Sequence, residues 1–174
     1  MAKLRKFVAY RRLERPYTRR SKFMKDNFIK ASPNLKIVRY EMGDKKKKFY
    51  YTLKLLSKRS LQIRHNAIES ARQSSNRYLE NTLGKNGYYM MINVYPHHIL
   101  RENPLAAGAG ADRMSTGMKM SFGKAIGAAA QIREGQTLFT LSVDKGNLLT
   151  ARKAMARVYH KLPSSCSIQV SENK

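Results

Sequence analysis

The chain has 174 residues, 42% of them hydrophobic, enough for one domain with a buried core and an attached arm or large loop. Its 35 Lys and Arg against 11 Asp and Glu leave a formal charge of +24, a self-repulsion that calls for a polyanion, and nucleic acid leads that class. No run approaches about 18 consecutive apolar residues and no apolar signal core follows the basic N-terminus, so a cytoplasmic protein with no membrane partner is expected, and the single cysteine, Cys166, excludes an internal disulfide.

From Met1 to Lys25 ten Lys or Arg, among them Arg11, Arg12, Arg15, Arg19, Arg20 and Lys22, stand against one acid, Glu14, and are interleaved with Phe7, Tyr10, Tyr17 and Phe23. This is the pattern of an arm that follows a phosphate backbone and stacks rings on exposed bases, the alternative being a solvated tail. A single domain over 26–170 is expected after this arm of residues 1–25. Residues 35–42 and 48–56 are rich in β-formers and flank Gly43-Asp44, which predicts two paired antiparallel strands. Lys45 to Lys48, just after that turn, read equally as a phosphate-contacting knuckle and as a solvated tip.

Ser60 is placed to cap a helix running to about Leu83, with Leu61, Ile68, Ala71, Ser75, Tyr78 and Leu79 on one arc and Gly84 ending it. Asn66, Glu69, Gln73, Arg77 and Glu80 fall on the other side, and Arg64, His65 and Arg72 lie at the border, where their heads can reach an outside partner. A strand over 88–95 carries apolar groups on both faces, which predicts an interior position in a sheet, and Pro96 stops it. His97 and His98 point in opposite directions in an extended chain, so no metal pair is expected.

Residues 101–124 show neither a helical nor a strand period and carry four glycines, Gly108, Gly110, Gly117 and Gly123, with four cations, Arg101, Arg113, Lys119 and Lys124. A loop of this length is functional or a plain linker, and Met114, Met118, Met120 and Phe122 make it too apolar for a spacer. It is not a phosphate loop, because five residues instead of four separate Gly117 from Gly123 and Ala125 replaces the magnesium-binding hydroxyl. Nor is it a dinucleotide fingerprint, since Arg113 stands where the third glycine belongs. Asp112, between Ala111 and Arg113, has no carboxylate partner, and no nucleophile, base and orienter form a set, so neither an enzyme nor a cofactor is expected.

After the loop, 126–132 and 136–143 read as strands, 147–162 as a helix with Lys153, Arg157, His160 and Lys161 on its polar face, and 163–170 as a last strand before a frayed tail, 171–174. The order β-β-α-β-loop-β-β-α-β, with Tyr51-Thr-Leu53 and Phe139-Thr-Leu141 before the two helices, suggests an internal pseudo-repeat. The fold class is therefore α+β, two helices packed on a mostly antiparallel sheet, with a basic N-terminal arm and a long Gly-rich loop. The rivals to an RNA-binding scaffold are an RNA-modifying or phosphotransfer enzyme using Asp112, His97 or Lys124 and an architectural DNA binder acting by charge alone.

The wording Arg101-Glu-Asn103, Gly108-Ala-Gly-Ala-Asp-Arg113, Gly117-Met118 and Phe122-Gly-Lys124, with Tyr17-Thr-Arg-Arg20, Leu61-Gln-Ile-Arg-His65, Asn76-Arg-Tyr78 and Pro163-Ser-Ser-Cys166, runs in order along nearly the whole chain. It resembles the large-subunit ribosomal protein family called L-ten-e in archaea and eukaryotes and L-sixteen in bacteria, in its archaeal type. The resemblance implies an α/β-hammerhead-like fold, a structural role in the large subunit, and contact with large-subunit rRNA near the A-site tRNA. It implies rRNA binding by the arm cations together with Arg64, His65, Arg72 and Arg77. It further implies that the loop, with Arg101, Asn103, Arg113, Gly117, Met118, Lys119 and Lys124, reaches toward the peptidyl-transferase centre. Expected partners are rRNA, tRNA in the A and P sites, neighbouring large-subunit proteins and the 5S RNA.

Overall fold

The computed structural model describes residues 4–14, 32–103 and 123–173. Among the described residues eight strands and two long helices follow in the order β1 (Glu41–Gly43), β2 (Tyr51–Ser57), β3 (Leu61–Arg64), α1 (His65–Leu83), β4 (Tyr88–Ile92), β5 (His98–Glu102), β6 (Lys124–Ile132), β7 (Thr137–Val143), α2 (Leu148–Lys161) and β8 (Cys166–Glu172). They form a five-stranded sheet, β1-β4-β7-β2-β8, and a three-stranded sheet, β3-β6-β5. Every strand pair is antiparallel. The fold is α+β.

The pseudo-repeat takes a definite form. β2 and β7 lie side by side with Leu53 opposite Leu141, and each leads through a helix to a strand on the far side of the other: β2 through α1 to β4 beside β7, β7 through α2 to β8 beside β2. Two split β-α-β units are thus interleaved about an axis between the central strands. Leu53, Leu55, Phe139 and Leu141 on those strands are fully buried under Ile68, Ala71 and Leu79 of α1 and Ala151, Ala154, Met155 and Val158 of α2. Both helices bury one stripe at the 3.6-residue period and pack on one another, with the Arg157 guanidinium 4.0 Å from the centroid of the Tyr78 ring.

The smaller sheet continues the three inner strands of the larger. β4 runs on into β5, β6 into β7 and β2 into β3 through bends at 93–97, 133–136 and 58–60, where backbone bonds hold the corner: Gly135 N–H donates to Ser57 O at 2.8 Å, and Asn93 N–H to Leu138 O at 2.9 Å. Gly135 adopts φ +76° in this corner.

The structure corrects four sequence expectations. No 35–42/48–56 hairpin forms: β1 pairs with β4 and β2 with β7 and β8. Gly43 is required by closeness rather than by a turn, since at φ +87° a Cβ would collide with the Tyr88 carbonyl. The first helix does not start at Ser60. Leu61–Arg64 is a strand with Leu61, Gln62 and Ile63 buried, Ser60 Oγ accepts from Glu134 N–H at 3.0 Å, and the helix begins at His65 without a side-chain cap. Alternating Leu61 and Ile63 satisfy a strand as well as a helix end, and the open edge of β6 decides between them. Glu69, expected on the outer side of α1, is buried. Residues 171–173 of the expected frayed tail are held, because Ser171 and Glu172 pair with Thr52 and Tyr51, and the Asn173 amide donates to Phe49 O and Thr52 Oγ1, while Lys174 lies outside the described residues.

Candidate nucleic-acid interface

Residues 4–14 of the basic arm lie on the three-stranded sheet, held by their main chain. Gln62, 1% exposed, donates from Nε2 to the carbonyls of Tyr10 (3.0 Å) and Arg12 (2.5 Å), while its backbone N–H donates to Arg11 O at 3.2 Å. Its cross-strand partner Gln131 donates to Glu14 O at 2.8 Å and to Gln62 Oε1 at 3.3 Å. Arg64 donates from NH1 to Arg5 O at 2.6 Å. Because these bonds use carbonyls alone, the side chains of Arg11 and Arg12 remain exposed. The sequence signal was Gln62 inside Leu61-Gln-Ile, a polar residue in a buried run that needs partners.

The central loop springs from the same sheet. β5 and β6 pair as far as Glu102 opposite Lys124, with a register shift between Leu100 and Arg101. Gly123, at φ +117°, sits where a Cβ would come within 3.0 Å of the Glu102 carbonyl carbon and 3.1 Å of Asn103 N. Arg5 Nε donates to Glu102 Oε1 at 2.5 Å, so an ion pair joins the arm to this hairpin stem. Arg101 and Asn103 are half-buried at the stem and Lys124 is exposed.

The other expected contacts divide. Arg77 is exposed on α1. Arg72 forks onto Glu69, Nε to Oε2 at 2.8 Å and NH2 to Oε1 at 2.6 Å, and Gln73 adds a third bond at 3.0 Å. Burial alone would raise the Glu69 pKa, but the bonds from Arg72 and Gln73 outweigh it and hold the carboxyl below its usual range. His65 is buried beneath the arm, its Nδ1 accepting from Lys36 N–H at 3.4 Å, and Gly127 leaves space for its ring and for Leu4. Burial, then the charges of Lys36 and Arg64, push its pKa down and keep it neutral at pH 7. Arg15, Arg19, Arg20, Lys22, Arg113, Gly117, Met118 and Lys119 lie outside the described residues.

The lysine knuckle is partly tied down: Lys45 Nζ meets Glu41 at 3.0 Å and Lys47 Nζ meets Asp144 at 2.6 Å. His98 is buried and His97 exposed, so the two rings point apart. Cys166 is half-buried, burial raises its thiol pKa, and its Sγ donates to Ser164 O, which suits packing rather than nucleophilic attack. Among the described residues no cluster of His, Cys, Asp and Glu could hold a metal, and no helix is long and apolar enough to cross a membrane.

The fold and this surface define a basic α+β scaffold that displays a cationic arm and the stem of a long loop from one small sheet. The description "Ribosomal protein L16p/L10e" belongs to the family that matches residues 14–169. The large ribosomal subunit protein uL16 of Methanococcus maripaludis (strain S2) is 44% identical over 172 residues, covering 98% of this chain and 96% of its own. Those of Methanocella arvoryzae and Archaeoglobus fulgidus are 42% and 38% identical, each covering 94% of this chain and 92% and 90% of their own. The chain belongs to the L16p/L10e family of ribosomal proteins, and is accordingly a structural, non-enzymatic constituent of the large ribosomal subunit in the cytoplasm.

Proposed function

We propose that the protein binds large-subunit rRNA beside the A-site tRNA cleft and extends residues 101–124 toward the peptidyl-transferase centre, where they help to position tRNA in the A and P sites. The observation that supports this reading is the clamp: amides grip the main chain of residues 10–14 while Arg11 and Arg12 stay exposed, on the sheet from which the 101–124 segment departs. Cations presented from a fixed backbone neutralise phosphates without first losing chain entropy. Arg11, Arg12, Arg15, Arg19, Arg20, Lys22 and Arg77 are assigned to rRNA phosphates. Arg64, His65 and Arg72 serve the same interface by holding the arm and α1 in place, as their internal contacts suggest. Arg101, Asn103, Arg113, Gly117, Met118, Lys119 and Lys124 are assigned to the tRNA-facing loop, with neighbouring large-subunit proteins and the 5S RNA as further partners.

Ultraviolet crosslinking in intact cells, with sequencing of the attached RNA and mapping of the peptide, tests this directly. Arm peptides joined to large-subunit rRNA, and loop peptides joined to tRNA or peptidyl-transferase rRNA, are expected. Crosslinks scattered over messenger RNA would refute the assignment.

A further inference from the structure

The five-stranded sheet ends on an open edge. β8 pairs with β2 in unbroken antiparallel register, from Ser57 opposite Cys166 to Tyr51 opposite Glu172. The flanking bonds fix which residues face β2: Lys58 N–H donates to Ser165 O at 3.0 Å, and Asn173 N–H to Tyr50 O at 2.8 Å. Bonded residues alternate along an antiparallel strand, so Ser165, Ser167, Gln169, Ser171 and Asn173 turn their amides and carbonyls toward β2. Those of Cys166, Ile168, Val170 and Glu172 point away from the sheet, where no further strand lies among the described residues.

The other edges are covered or blunted. Gln62 N–H on β3 donates to Arg11 O of the arm, and β1 is three residues long. β5 shifts register between Leu100 and Arg101 and is tied to the arm by the Arg5–Glu102 ion pair. β8 lacks the usual protections of an edge, having seven residues with no proline, no lysine and no break in register. Its even-numbered side chains lie on the helix side of the sheet, since Cys166 and Val170 pack against the core, and Ile168 among them is 38% exposed. α2 packs on β8, and Tyr159, 38% exposed, falls about 160° round that helix from Arg157, which stacks on α1. Ile168 and Tyr159 therefore form an apolar ledge along the open edge.

We propose that the free edge of β8 docks an extended segment of a neighbouring large-subunit protein, which adds a strand to the five-stranded sheet. An edge offers N–H donors and C=O acceptors in alternation. A peptide strand satisfies both, whereas an RNA backbone would set acceptor oxygens against the carbonyls. Composition agrees: residues 162–173 hold no Lys or Arg in a chain that has 35, although none of residues 165–173 is buried. Lys54, opposite Gln169, projects from the other face of the sheet, because its neighbours Leu53 and Leu55 are buried under the helices. A second copy of this chain fits poorly, since each carries a charge of +24 and β8 holds no cation to meet its partner's Glu172. The segment that fits bears β-branched or other apolar side chains beside Ile168 and Val170 and a Lys or Arg beside Glu172. This gives the neighbouring-protein partner of the functional reading a surface, and it does not depend on where the arm and loop bind RNA.

Residue-resolved hydrogen exchange on the isolated full chain and on large subunits containing it reads the edge directly. In the isolated protein the amides of Ile168 and Val170 should exchange freely while those of Ser167, Gln169 and Ser171 are protected. In the subunit Ile168 and Val170 should slow by about tenfold or more. Replacing Gln169 by p-benzoylphenylalanine and irradiating intact subunits identifies the neighbour, and one protein segment is the expected adduct. Ile168→Pro removes an N–H that β2 does not use, so it should keep a near-parental melting temperature yet lose the protection of Val170 in the subunit; Gln169→Pro, which removes a bond to β2, should lower the melting temperature. Unchanged exchange at Ile168 and Val170 on incorporation would overturn the proposal. So would protection without a protein adduct, or an adduct to a second copy of this chain. The rRNA crosslinks of the arm test the functional reading separately and stand or fall without the edge.

Discussion

Gln62→Met isolates the clamp. Methionine keeps the length and flexibility of the side chain in its buried slot but donates nothing to Tyr10 O and Arg12 O. Two neutral hydrogen bonds at about 1 kcal/mol each give roughly 2 kcal/mol of arm docking, about a 30-fold shift toward the undocked arm. The domain core should be affected less, because carbonyls freed with the arm return to water and the backbone bond from Gln62 N–H to Arg11 O survives the substitution. Trypsin reads the outcome, since cleavage after Arg11 and Arg12 tracks the population of open arm when opening is fast relative to cutting. Cleavage should accelerate by about 10- to 30-fold, with the melting temperature of the remainder moving far less. Gln131→Leu, which removes one main-chain bond, should give about fivefold. A Gln62→Met rate within about twofold of the parent would show that the amide ladder does not hold the arm, and the account of how its cations are presented would fall with it.

Gly123→Ala should loosen the loop stem, because φ +117° is strained for any side chain and a Cβ would crowd the Glu102 backbone at 3.0 Å; faster amide exchange at 101–103 and 123–125 is expected, and unchanged protection would refute the strain. Arg72→Ala should cost about 2–4 kcal/mol in urea unfolding by stranding buried Glu69, yet leave the salt slope of RNA binding unaltered; the reverse pattern would make Arg72 a direct RNA contact. Acidification should destabilise the fold in a defined window. The buried His65 and His98 have pKa values below the ordinary 6.5, burial being the main cause in both, so the unfolded chain takes up protons first. Their contribution is complete above about pH 6.5 and is lost as pH falls toward their depressed folded values, so the urea midpoint should be lower at about pH 5.5 than at about pH 7.5. An equal or higher midpoint at the acidic pH would contradict the neutral buried imidazoles.

Much of the chemistry was legible from residue types. A charge of +24 names a polyanion whatever the fold, since Coulomb repulsion does not depend on topology. The second helix, the strand from Tyr88 and the split of His97 from His98 follow from periods of 3.6 and 2, which are local properties of the backbone. The long motif from Arg101 to Lys124 carried the family.

Tertiary structure decided which strand met which. Gly43-Asp44 looks like a hairpin turn at short range, but the glycine is there because β4 passes against it, a contact made by residues 45 positions away in the chain. Leu61–Arg64 fits a helix start or a strand until β6 offers its edge, and the choice turns Gln62 from an incidental polar residue into the grip on the arm. Arg64, His65 and Arg72 show the same limit: their type says cation or ring, and only their neighbours say whether the head faces RNA or holds the protein together. The sequence by itself determined what the surface must attract, because charge and local period are carried by each residue alone. The fold determined where that attraction is displayed, because strand pairing and burial depend on partners distant in the chain.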